Sequence, residues 1–124
     1  MQNIGVISSR LISTEEIVGF VKAARGYWND DVGLNQGVIE KGSARIFIHG
    51  DGNITNACYE PEELARLKMQ LGAAPQSYIS IHIGHGDESR ELAFEVARRM
   101  IIVWGGLIDD NMENFVHPEK ANKK

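Results

Sequence analysis

An α+β domain is the fold class this sequence predicts, and three observations carry the prediction. Ile79, Ile81 and Ile83 alternate strictly with Tyr78, Ser80 and His82, the period of a strand with one apolar face and one polar face. Ile17, Phe20, Val21 and Ala24, and later Leu92, Ala93, Val96, Ala97, Met100, Val103 and Trp104, recur at helical spacing. Short glycine-bearing turns separate these segments. Three helices with apolar stripes need a sheet to bury them. The expected architecture is a single-domain sandwich with a mixed, mostly antiparallel sheet, helices largely on one face, and the order β-α-β-β-α-β-α-β.

Taken in order, Ile4–Ile7 is a short apolar strand. Ser13 and Glu16 form a capping box, and Ile12 with Ile17 a hydrophobic staple, so the first helix runs from about Thr14 to Arg25, with Gly26 as its stop. Trp28 continues its apolar stripe. Val38–Glu40 and Ala44–His49 flank the turn KGS as a hairpin. In the second of these strands Ala44, Ile46 and Ile48 share one face, and Arg45, Phe47 and His49 the other. Pro61 suits the first position of a second helix, Glu62 and Glu63 suit the positive end of its dipole, and Gly72 closes it after the stripe Leu64, Leu67, Leu71. Tyr78–His85 is the clearest strand. A third helix follows over about Ser89–Trp104, capped by Asp87 or Ser89, and Leu107–Ile108 adds a last strand after Gly105–Gly106.

The chain has 124 residues, 43% apolar and 24% charged, which suits one domain with its own core. That domain spans 1–117, and the polar stretch 118–124 reads as a flexible tail. Nothing approaches the roughly 20 apolar residues of a membrane span. MQNIGVISSR lacks the basic start and apolar stretch of a signal peptide, so a soluble, cytoplasmic protein is expected. The net charge is −4, and the tail, with one acid and three lysines, is positive, so the body carries −6. A body of that sign repels phosphate backbones and anionic membranes and is steered toward a basic partner.

Catalytic signatures are sparse. The single cysteine, Cys58, stands beside Glu60, Glu62 and Glu63, which disfavour a thiolate. GHGDES lacks both GxGxxG and the Lys-Ser/Thr of a P-loop, and no GxSxG elbow is present. One constellation could hold a metal or work as acid and base: His49 and Asp51 in IHGDGN with His85 and Asp87 in HIGHGD, provided the two strand ends meet. The two histidines of HIGH, His82 and His85, stand three apart and point to opposite faces of a strand. No metal or cofactor is assigned. The acids fall in groups, two of them beside aromatic residues, which suits a protein-docking surface. On charge and expected exposure the docking residues are Trp28, Asp30, Asp31, Tyr59, Glu60, Asp109, Asp110 and Glu113.

Residues 78–110, YISIHIGHGDESRELAFEVARRMIIVWGGLIDD, present a strand, a glycine-bearing turn, an amphipathic helix with a WGG exit and a short strand. In this the chain resembles small bacterial immunity proteins of polymorphic toxin systems, including contact-dependent growth inhibition, over about a quarter of its length. The resemblance implies a cytoplasmic, non-enzymatic protein that binds a cognate toxin domain, often a basic nuclease, and occludes its active site or an essential surface. Carboxylates that mimic phosphates would suit such a partner, with no direct contact to nucleic acid. No binding motif is common to these proteins, so the resemblance adds no residue to the docking set.

Overall fold

The computed structural model describes residues 3–30, 35–50, 52–57, 59–110 and 115–116, with Asn56, Phe115 and Val116 described by backbone alone. The elements are β1 (Asn3–Ser8), α1 (Thr14–Ala23), β2 (Tyr27–Asn29), β3 (Gln36–Lys41), β4 (Ala44–His49), a 3-10 turn (Ile54–Ala57), α2 (Pro61–Leu71), β5 (Ser77–Ile83), α3 (Asp87–Trp104), β6 (Leu107–Asp109) and β7 (Phe115–Val116). The strands form one sheet in the order β2-β3-β4-β5-β1-β6-β7. The α+β class is as expected. The sheet, however, is antiparallel at every pairing rather than mixed. The chain achieves this by returning each helix to the sheet beside a strand of opposite direction, as when α3 leads from β5 past β1 to β6.

The local signals at the first two helices are realised. Ser13 Oγ accepts from the Glu16 amide at 3.1 Å, and Glu16 Oε1 accepts from the Ser13 amide at 3.1 Å. Ile12 and Ile17 are both buried beneath that cap. Pro61 opens α2, the Glu60 amide donates to Glu63 Oε1 at 3.0 Å, and Gly72 closes the helix at φ 79.

Two expectations at helix ends are corrected. The first helix stops at Ala23, and the left-handed residue beyond it is Arg25 (φ 66), not Gly26. Gly26 serves packing instead, because a Cβ there would run into the Val38 carbonyl and the Val21 and Ile39 side chains. The chain therefore leaves the helix early and becomes β2, which carries Trp28. The third helix begins at Asp87, two residues early, with Gly86 at its N-cap and no side-chain cap. Ser89 lies within it, donating from Oγ to the His85 carbonyl at 2.7 Å and accepting from the Arg45 amide at 3.0 Å, so it ties α3 to β4 rather than capping the helix.

The two faces of the sheet are covered unequally. α1 and α3 lie on one face over Ile39, Ile46, Ile48, Ile79, Ile81, Ile83, Ile4, Val6 and Ile108, all buried in one continuous cluster with Val96, Met100 and Trp104. On the other face α2 covers one part only, where Leu67 packs on Ile7 and Leu107, flanked by Tyr59, Leu64, Leu71 and Tyr78. A Cβ at Gly5 would overlap the Tyr78 ring, so a side chain here would lift the ring off β1. No described helix covers the rest of this face, over β2, β3, β4 and the end of β5.

Candidate docking face and its histidine pair

Cross-strand register defines what the uncovered area presents. Tyr27 pairs with Val38, Val38 with Phe47, Phe47 with His82 and His82 with Asn3, so these five side chains form one row across five strands. Asn29, Gln36 and His49 begin the next row. Tyr27 and His49 are exposed, and Phe47, His82 and Ser80 are half-buried. Val38, within the first row, is buried, so what this face exposes is aromatic and polar with little aliphatic area.

His49 and His82 meet on it, as do Glu40 and Arg45, whose Nε donates to Glu40 Oε2 at 2.7 Å. The two histidine ring centroids stand 4.5 Å apart at an interplanar angle of 60°. Burial, and then the neighbouring His49, hold the His82 imidazole below its ordinary range, favouring the neutral form. Reading the chain alone did not find this pair, since it arises from strands joined through α2. The usable signal was the alternation that puts His82 opposite Ile81 and Ile83, and His49 opposite Ile48.

The histidine–aspartate constellation expected at the strand ends does not assemble. β4 and β5 run antiparallel with Ile46 opposite Ile83, and the Gly84 amide donates to the Arg45 carbonyl at 2.9 Å. His85 is therefore level with the start of β4 while His49 is at its end, a separation of about 17 Å along the strand. Asp87 opens α3 just beyond His85, at the same end, and Asp51 lies outside the described residues. Among the described residues no three His, Cys, Asp or Glu side chains group as metal ligands.

The docking residues named from sequence fall at two edges of the sheet. Trp28 is half-buried on β2, not on a helix. Its indole Nε1 donates to Asn35 Oδ1 at 3.1 Å while the ring packs on the main core beside Gly37 and Gly50. Asp30 is exposed just beyond it. Five strand spacings away, about 24 Å, Tyr59 donates from Oη to Asp109 Oδ2 at 2.5 Å. Asp109 is only 7% exposed, so this carboxylate closes the α2 side of the fold instead of facing a partner. Burial, and then this hydrogen bond, push the Tyr59 phenol far above its ordinary range. Burial also raises the Tyr78 phenol, whose ring meets that of Tyr59 edge-on at 5.9 Å. Glu60 is exposed at the N-terminus of α2, and Asp110 is half-buried. Asp31, Glu113 and Cys58, like residues 117–124, lie outside the described residues.

A separate groove of about 610 Å³ lies between the β3–β4 turn and α3, lined among others by Lys41, Glu88, Phe94, Glu95 and Arg98. Its charges are already engaged in part: Lys41 meets Glu95 at 3.8 Å, and Ser43 donates to Glu88. None of the docking residues lines it. No helix among the described residues is long and apolar enough to cross a membrane.

Fold and surface together define an α+β domain on an open antiparallel sheet with one half-uncovered face. No protein-family model matches the chain, and no curated protein or solved structure matches it.

Proposed function

We propose that this chain is a non-enzymatic cytoplasmic inhibitor of the immunity type, which binds a basic toxin domain, a nuclease by the charge argument, and neutralises it by occlusion. The observation that supports this reading most is the unequal covering of the sheet. No helix among the described residues covers the face that carries Tyr27, Phe47, His49 and His82; Tyr27 and His49 are exposed there and Phe47 and His82 half-buried, with the exposed carboxylates of Asp30 and Glu60 toward its two edges. Rigid aromatic side chains anchor protein interfaces, and surrounding charge sets the encounter rate. The body charge of −6 has the sign that a basic partner requires.

The test is capture on the immobilised protein, washed at low and then high salt, followed by expression of the captured domain with and without its captor. The reading expects one basic domain at near-equal stoichiometry, toxic alone and harmless in the presence of this protein. Asp30→Lys and Glu60→Lys should slow association and make it less sensitive to salt without unfolding the protein. A captured domain whose toxicity is unaffected by this chain would sink the proposal.

A further inference from the structure

The histidine pair on the uncovered face has a geometry that its place in a docking surface does not require. An imidazole bound at about 2.1 Å has its ring centre about 3.2 Å from the ion. Two imidazoles at right angles on one ion therefore have centres about 4.5 Å apart, whereas a tetrahedral angle spreads them to about 5.2 Å. The His49 and His82 centroids are 4.5 Å apart. The geometry points to His49 and His82 as a two-histidine chelate for a divalent late transition metal that accepts adjacent ligands at right angles, Ni(II) or Cu(II), with water completing the coordination.

The surroundings favour this use. Both rings rise from one sheet face, on adjacent strands held in register by Phe47 opposite His82 and Ile48 opposite Ile81. Backbone pairing thus holds the two Cα positions in register, and a shared ion fits the ring spacing where a nitrogen of each ring turns toward it. His49 is exposed, so the ion has a path and room for its waters. The neighbours Phe47, Ser80, Gln36 and Asn3 are uncharged; Arg45 on the same face is paired with Glu40, and the positive N-terminal amino group also acts on His82 and would compete with a bound cation. His85, at the other end of β4, takes no part.

Titration of the full chain with Ni(II) by calorimetry, with the histidine ring protons followed by NMR as Cu(II) broadens them, tests the assignment. The expected result is one equivalent of Ni(II) bound, with the rings of His49 and His82 broadened together at substoichiometric Cu(II). His49→Gln and His82→Gln should each weaken binding at least tenfold, the double variant should be no weaker than the worse single one, and His85→Ala should bind as the parent does. Unchanged binding in either His49→Gln or His82→Gln overturns the chelate, as does a parent protein that binds no Ni(II) at millimolar concentration. His49→Gln alone decides the matter should His82→Gln disturb packing, because residue 49 is exposed.

Discussion

On the α1/α3 face each strand from β3 to β6 contributes apolar side chains to one continuous core, whereas on the α2 face only Ile7 and Leu107 meet a buried helix residue, Leu67. The same alternating strands build both faces, so strand propensity does not explain the difference. What separates them is the partner residue at the alternate positions. Ile79, Ile81 and Ile83 alternate with Tyr78, Ser80 and His82, and the second set cannot be buried without satisfying polar groups. The α2 face solves this at one end with a tyrosine–aspartate hydrogen bond and leaves the other end to solvent. One side is specialised for stability and the other is free to be specialised for recognition.

The contrast can be broken most severely from the first face. Ile81→Ala, at a fully buried site, should cost about 2–5 kcal/mol in chemical denaturation. Tyr59→Phe keeps the ring over α2 but removes one donor from the buried Asp109 carboxylate, and should cost about 1–3 kcal/mol. It also has a pH signature. The folded phenol holds its proton more tightly than the unfolded one, so this contribution is complete below pH 10 and is lost as pH rises above it. The loss of stability in alkali should be shallower in Tyr59→Phe. Tyr27→Ala, on the open face, should change stability by no more than about 0.5 kcal/mol yet weaken partner binding at least tenfold. A stability loss as large as that of Ile81→Ala would show that this residue is structural.

The smallest effect expected is acidic. His82 prefers its neutral form when folded, so stability is constant well above pH 6.5 and declines as pH falls below that value. His82→Gln should flatten the decline below about pH 6.5 while leaving neutral-pH stability nearly unchanged. An unaltered acid limb would mean that other groups set it.

Most of the fold was legible where a single local rule decides. The Ser13–Glu16 box, the Pro61 start and the strict alternation of β5 needed no tertiary information. β2 was not legible, because three residues are too few to show a period and Trp28 stands at helical spacing from Ala24. The helix is ended by Arg25 in a left-handed conformation and by the close approach of Gly26 to Val38, which are tertiary facts. The docking residues fared unevenly for a related reason. Charge and aromaticity can be read residue by residue, but whether Tyr59 and Asp109 face outward or bond to each other depends on how a loop and a strand 50 positions apart are brought together. The same holds for His49 and His82, whose pairing depends on the direction in which β5 returns after α2.

The place of β1 at the heart of the sheet also has a consequence for how the chain reaches this state. Residues 3–8 lie between β5 and β6, so their hydrogen-bonding partners are residues 77–83 and 107–109. During synthesis the first strand made must wait for nearly the whole chain, while the β2–β3–β4 meander closes over short loops. Until then Ile4, Val6 and Ile7 have no native cover, the situation in which holdase chaperones engage a nascent chain. Pulse-labelled hydrogen exchange during refolding should find β3 and β4 protected before β1. Early protection of β1 would instead place the long-range pairing in the folding nucleus.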